Sequence, residues 1–528
     1  MFQQTASDSR TANPSAAVLH FVALLLLAFA TAFHVDLAQP ATDAFQEAEY
    51  ATIGPLQRLH PETRMPVLIH GGIDIYPSRL AARICPPGAQ IVCVRTINTS
   101  LQVLAGWLLI ALLAALAGLG SPASLLASAP LAALFWLFGG PVTLAADAQQ
   151  GTPGVRDIAP LLALLLMAHL ATRLDHRRPG TGPLELFLLG ALAAASPFWV
   201  YNRGLVTIAI AGLFALMLSA AHGSLRPLVL LAMGAMAALA AIAIPADPHL
   251  FTDSLADIGY WAANTDLWRI PLQSRPLLPS LAFDAIALIV ALPPAWSALR
   301  AGRPGRALLI ATLLAAGALY TLQSISRSDL PHMRWTLWPP ALVLAIGIRA
   351  RLETIRAPAL QDAGFPVMAA LIALLCLETM SDHSIAYTTL DGLARNARLL
   401  RHPLPPDRTL VPPDLLRVAD LVRGASRCTF AANNAGLVHL LSDAPPCSRY
   451  MFGAYIAPDR QDAVIADLEA GDPQIILWSA PEWWAHIDGH TFVDRSPRLA
   501  AWIDQNFPVE TPIGPYLLRS REDLVPTP

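Results

Sequence analysis

Thr42-Asp43-Ala44-Phe45-Gln46-Glu47-Ala48-Glu49-Tyr50 is the stretch on which the reading of this chain turns. It holds three carboxylates, Asp43, Glu47 and Glu49, in a chain that is 55% hydrophobic and only 14% charged over 528 residues. Soluble domains carry about 25% charged residues, so the composition places the chain among polytopic membrane proteins. The formal net charge of −3 argues against a nucleic-acid partner. If Asp43 to Leu56 is helical, Asp43 and Glu47 share one face at i, i+4 and repel each other. A cation, an arginine or an acceptor hydroxyl would offset that repulsion. A carboxylate so placed can serve as general base to an incoming hydroxyl, or help bind a divalent cation, Mg or Mn. A solvated helix face is the plainer alternative.

Working outward, the acidic stretch lies in a long polar loop that follows the first apolar run, 16–33. That run reads as a signal anchor with the N-terminal tail, 1–15, on the cytoplasmic side. The loop, taken as 37–98, continues through His70-Gly71-Gly72-Ile73-Asp74-Ile75-Tyr76-Pro77-Ser78-Arg79. Paired glycines permit a tight turn, which lets His70 and Asp74 face a polar ligand with Arg79 available to a phosphate. An ordinary turn into the next helix accounts for the same residues. Cys85 and Cys93 close the loop, and Cys428 and Cys447 form a second local pair. Two disulfides in an oxidising compartment explain both pairs; Cys376 sits in an apolar run as a buried thiol.

Further apolar runs fall near 100–119, 122–145, 157–173, 183–200, 205–222, 227–245, 280–299, 306–324, 335–350 and 366–382. With the first, they make roughly eleven spans by the length criterion. Arginines concentrate in every second short loop, at Arg173, Arg177 and Arg178, at Arg226, at Arg300, Arg303 and Arg306, and at Arg349, Arg351 and Arg356. That bias places those loops inside. An odd number of spans then puts 383–528 outside, where the Cys428/Cys447 pair belongs. The expectation is a bacterial inner-membrane protein with a helical body over 16–382 and a periplasmic α/β domain over 383–528. In that domain Cys428–Ala432, Gln474–Trp478 and Pro512–Leu518 read as strands, and Arg460–Leu468 and Pro497–Gln505 as helices.

Every basic side chain other than histidine is arginine. A Schiff-base lysine and a P-loop lysine are therefore excluded, and any phosphate must be gripped by arginine forks. Ser326-Arg327-Ser328-Asp329-Leu330-Pro331-His332-Met333-Arg334-Trp335 supplies a suitable set beside the membrane surface. Arg327, Asp329, His332 and Arg334 are candidates for holding a lipid phosphate; interfacial anchoring with Trp335 and Trp338 is the alternative. The long loop 247–278, with Tyr260, Trp261, Trp268, Arg269 and Arg275, can stack on sugar rings or rest at the interface. Arg203, in the short turn Tyr201-Asn202-Arg203, can add a donor to the same place. Asp284 is a carboxylate inside a span, a functional candidate by default. His20 and His169 are expected to pack between helices, and Trp478, Trp483, Trp484 and His486 to pack in a core.

The architecture resembles the GT-C superfamily of membrane glycosyltransferases, and the segment Asp43 to Tyr50 is similar to its acidic loop motif. The resemblance implies a polyprenyl-phosphate-linked sugar donor and a glycan, lipid or protein acceptor. It implies Asp43 as catalytic base, with Asp36 as a rival, Glu47 as a weaker match and Glu49 beside the substrate. It implies inversion at the anomeric carbon, with Arg327, His332 and Arg334 steadying the leaving phosphate. A ligase or polymerase of lipid-linked glycans would depend on the outer arginines and histidine instead. A transporter or flippase of glycolipid is the non-enzyme alternative, although no repeated halves are visible.

Overall fold

The computed structural model describes residues 37–38, 41, 45–61, 66–67, 71–116, 155–175, 182–244, 248–269, 272, 274–327, 333, 336–352, 390–399, 401–433, 435–479, 486–487 and 490–523. The expected spans at 16–33, 122–145 and 366–382 lie outside these residues. The other eight fall on helices. The bundle is built from α3 (Gln90–Leu116), α4 (Ile158–Asp175), α5 (Pro183–Trp199), α6 (Tyr201–His222), α7 (Arg226–Ala243), α9 (Ser274–Arg300), α10 (Pro304–Ser324) and α11 (Trp338–Leu352). Before it come α1 (Phe45–Leu59) and α2 (Gly72–Ile84), and between α7 and α9 runs α8 (Pro248–Ala263).

Among the described residues, six helices are long and apolar enough to cross a membrane. They include α6, α7 and α10 over their full lengths. α5, with 17 residues, and α11, with 15, are shorter. The core of the bundle is aliphatic, centred on Leu164, Met167, Leu189, Ile210, Phe214 and Leu313. α7 and α9 present the opposite face outward, with Val229, Met233, Met236, Ile286, Ile289 and Leu292 exposed. Water would not favour such a surface; hydrocarbon satisfies it, because the helix ladder meets every backbone polar group internally. The junctions between α4, α5 and α10 carry polar caps. Asp175 accepts from the amides of Gly305 and Arg306 at 2.7 and 3.0 Å, closing the first turn of α10. Arg173 donates to Glu185 at 2.5 Å. His169 is exposed there, 3.6 Å from Glu185, rather than packed between helices.

α3 differs from its expected span. The apolar run begins near residue 100, yet the helix begins at Gln90. The added turns extend it by about 15 Å. Arg95 and Asn98 in these turns are buried at 2% and 3% exposure, so tertiary contact, not lipid, surrounds them. Thr96, Thr99 and Ser100 return their hydroxyls to carbonyls four residues back. The helix thus starts inside the polar stretch, whose described residues fall largely on α1, α2 and the first turns of α3. α1 and α2 cross so closely that a Cβ on Gly54 would lie 2.1 Å from the Ser78 carbonyl oxygen. The Gly54 amide donates to Ser78 Oγ at 2.7 Å.

The C-terminal stretch forms a four-stranded sheet, β1 (Phe430–Ala431), β2 (Ile475–Ser479), β5 (Val509–Ile513) and β6 (Tyr516–Ser520), in the order β1-β2-β6-β5. β1 and β2 are parallel; β6 is antiparallel to both its neighbours. A separate pair, β3 (His486–Ile487) and β4 (His490–Thr491), stands apart. Alternate side chains divide between two cores, as strand geometry requires. α12 (Leu390–Leu399) precedes the sheet and α16 (Phe492–Arg495) follows β4, while Ala431, Ile475 and Leu477 join α13 (Pro413–Ala425) and α14 (Leu437–Ser442). Phe430 and Ile476 join α15 (Gln461–Gly471) and α17 (Pro497–Asn506). The expected last strand, Pro512–Leu518, is instead a hairpin, turning at Gly514 with φ of 55°. A continuous apolar reading passed over that positive-φ glycine, which is the hairpin signal.

The sheet unit does not close its core alone. Ala41, Ala51, Ile91 and Val92 belong to the same cluster as Leu415, Val418, Leu437, Phe452 and Tyr455. Residues of the first polar stretch and the C-terminal unit therefore share one interior.

Candidate functional site

The site forms where the bundle meets this shared layer. The chain enters it through the 3₁₀ turn Val155–Asp157 at the start of α4, the α5–α6 junction, and the end of α10. Val200 is extended, with φ of −145°, and breaks what would otherwise be one long helix. That break aims Arg203 inward from the first turn of α6.

Arg203 has 2% exposure. Its guanidinium donates to Gln323 Oε1 at 3.0 Å and lies 3.6 Å from Asp157 Oδ1. It also sits 4.2 Å above the Tyr320 ring. Tyr320 donates its hydroxyl to Asp157 Oδ1 at 3.0 Å, and Trp199 Nε1 donates to the Val155 carbonyl at 3.1 Å. A buried carboxylate and guanidinium are tolerable only when paired and hydrogen-bonded in this way. The result is a rigid polar knot joining α4, α6 and α10.

The other loops meet at this knot. Gly71 takes φ of 82°, and a Cβ there would lie 2.8 Å from the Tyr201 ring. A Cβ on Gly72 would lie 2.2 Å from the Phe198 carbonyl oxygen, so only glycine lets α2 start against the α5–α6 junction. Tyr76 stacks on Trp199 with centroids 6.4 Å apart. Gln323 leads through Ser324 into the 3₁₀ turn Ile325–Arg327, which contacts the turn Thr265–Trp268 after α8.

Glu47 and Glu49 lie on the first turns of α1, which packs against α2 and α14. Asp74 lies on the first turn of α2, and Arg327 ends the turn Ile325–Arg327. At these four positions the backbone alone is described. Asp43, His70, Asp329, His332 and Arg334 fall outside the described residues, as does Asp36. Arg203 is placed within the knot, holding loops together rather than opening onto solvent. Asp284 accepts from Thr321 Oγ1 at 2.7 Å, one residue from Tyr320. Cys85–Cys93 and Cys428–Cys447 are both disulfide-bonded.

Sequence reasoning overlooked Asp157, Tyr320 and Gln323. Asp157 beside Arg156 at the mouth of a span was the available signal, since paired charges at a span's edge are costly unless used. The loop 247–278 also departs from expectation. Tyr260 and Trp261 are covered by the C-terminal unit rather than free to stack on a sugar: Tyr260 packs edge-on to Tyr450, and Trp261 edge-on to Tyr455. Burial and the neighbouring Tyr450 push the Tyr260 phenol above its ordinary value, keeping it a donor. Trp478 packs edge-on against Phe492 beneath Arg519, in the core as expected. Among the described residues, no group of three or more His, Cys, Asp or Glu is arranged to hold a metal ion.

No protein-family model matches the chain, and no curated protein matches it. Among solved structures the chain is similar to the crystal structure of ArnT from Cupriavidus metallidurans bound to undecaprenyl phosphate. The two share 13% sequence identity and a TM-score of 0.45, over 97% of this chain and 99% of that one.

Proposed function

We propose that the chain is a membrane glycosyltransferase of GT-C type, which moves a sugar from a polyprenyl-phosphate donor to an acceptor hydroxyl. In this reading the end of the bundle bearing the sheet unit faces the periplasm, and residues 383–528 form the periplasmic portion. The observation that carries it is the convergence on the Arg203 knot. Gly71, in the loop with the acidic stretch, rests on Tyr201, and Arg203 holds Gln323, four residues before Arg327. Gly71 and Gln323, far apart in sequence, thereby meet at one junction, and in this reading the acidic stretch and the arginine-bearing stretch continue from it to one membrane-proximal site.

The reaction then runs as one displacement. The acceptor oxygen forms a bond to the anomeric carbon while the bond from that carbon to the phosphate oxygen breaks. The hydroxyl proton passes to the Asp43 carboxylate, and the lipid phosphate leaves with the bonding pair. Arg327, His332 and Arg334 stabilise the charge on the departing phosphate, and Arg203 keeps their loop in place.

The test is sugar transfer from a radiolabelled polyprenyl-phosphate sugar by the full chain in lipid nanodiscs. Asp43→Asn is expected to lower turnover by about 100-fold or more, the scale of a lost general base. Full transfer by that variant overturns the Asp43 mechanism and favours a lipid-linked glycan ligase. Absence of transfer by the unaltered chain, with lipid-linked sugar crossing the bilayer, favours a flippase.

A further inference from the structure

One residue of the sheet unit touches the candidate site from two directions. The backbone carbonyl of Arg449 accepts from the Val67 amide at 2.7 Å, just ahead of Gly71 and Gly72. Its guanidinium lies 3.1 Å from Asp257 and 3.9 Å from Asp253, both on α8. These carboxylates stand one helical turn apart and are each 5% exposed, so they face the interior as a pair. A guanidinium fork can serve two carboxylates at once, which an ammonium point charge does less well.

α8 is fixed on both sides of that contact. Tyr260 Oη donates to the Tyr455 carbonyl at 2.5 Å and accepts from the Ala457 amide at 2.8 Å. Phe251 stacks on Phe198 with centroids 5.4 Å apart, and the Phe198 carbonyl is the one against which Gly72 packs. After α8, Arg495 donates to the Leu267 carbonyl at 2.9 Å, beside the turn that meets Ile325–Arg327. Arg449 thus stands where the Val67 backbone, α8 and the sheet unit meet.

We propose that Arg449 is a positioning residue of the candidate site: its carbonyl and guanidinium together make the sheet unit set the placement of the Val67 and Gly71–Gly72 backbone. The sheet unit is then a wall of the site rather than an appendage. The activity part of this inference rests on the glycosyltransferase reading; the structural part does not.

The experiment uses the full chain in nanodiscs with Arg449→Met, Arg449→Lys and, as a matched control, Arg498→Met. Arg498 pairs with Asp462 at 2.6 Å on the exposed surface. Hydrogen exchange is read on peptides covering 66–76 and, for comparison, 475–479. Arg449→Met is expected to speed exchange at 66–76 by about tenfold while 475–479 stays within about twofold, as for a local opening. It is also expected to lower kcat about tenfold with KM for the donor within about threefold, a loss of positioning rather than of binding. Arg449→Lys, which keeps a cation near the carboxylates without the fork, is expected to recover part of that kcat loss but not all of it. Unchanged exchange at 66–76 in Arg449→Met overturns the inference, and so does an equal rise at 475–479. If the unaltered chain transfers no sugar, the proposed function falls and the exchange measurement alone decides this inference.

Discussion

Removal of the Asp407 carboxylate should open the joint between the sheet unit and α3. Asp407 is 4% exposed and accepts from the Gln90 amide at 2.9 Å and the Ile91 amide at 2.8 Å. Its own amide donates to the Gly88 carbonyl at 2.5 Å. The first amides of a helix have no partner within it, so a residue more than three hundred positions away caps α3. Asp407→Ala leaves two buried donors without a partner, each costing about 1–3 kcal/mol. Allowing for water entering the gap, the local opening should become easier by about 3 kcal/mol, or roughly 100-fold. Asp407→Asn keeps one acceptor and should show about half that free-energy loss. The assay is hydrogen exchange at Gln90 and Ile91 in the full chain. Protection in Asp407→Ala equal to the unaltered chain refutes the capping argument, as does an equal effect of Ala and Asn. pH adds a further check. Burial pushes the Asp407 carboxyl above its ordinary value, against the pull of its two amide bonds and of Arg95. A raised folded value means the contribution is full below the ordinary carboxylate value and declines as pH rises through the folded one. Asp407→Asn should remove that decline.

Two other outcomes follow from buried charge. Arg203→Met removes the guanidinium 3.6 Å from Asp157, whose side chain is 3% exposed, and breaking a buried pair of this kind should cost about 3–5 kcal/mol. Thermal unfolding in detergent reads this loss, and adding Asp157→Asn should recover part of it; a shift equal to that of an exposed arginine would count against the knot. His439 is fully buried, donates from Nδ1 to the Ala444 carbonyl at 3.0 Å, and is pulled by burial down to about 4. Its folded value lies below the ordinary one, so its contribution is present above about pH 6.5 and is lost as pH falls toward 4, on the order of 3 kcal/mol in all. His439→Gln should flatten that acid slope in unfolding curves taken at a series of pH values, and an unchanged slope would exclude His439 as its source.

Much of the helical body was legible because a run of about twenty apolar residues has only one low-energy form in hydrocarbon. Eight expected spans fall on α3–α7 and α9–α11 for that reason. The strands at Cys428–Ala432 and Gln474–Trp478 were legible from short β-rich runs, each bounded by turns. The hairpin at Gly514 was not, since its meaning depends on a backbone angle. The polar turns of α3 were missed because hydropathy scores Arg95 and Asn98 as solvent-facing, while the shared interior buries them.

For the site, the sequence alone determined which residues have the needed chemistry: carboxylates in the first loop, arginines after α10, cysteines in local pairs. Each of these is a property of a short window, governed by local hydration and helix formation. Which windows meet was decided only by tertiary structure. The pairing of Arg203 with Asp157 and Gln323, of Asp407 with Gln90, and of Arg449 with Val67 and Asp257 joins positions dozens to hundreds of residues apart. Such contacts offset the entropy of closing long loops only when packing of the whole bundle and sheet fixes them together. No local pattern records that packing.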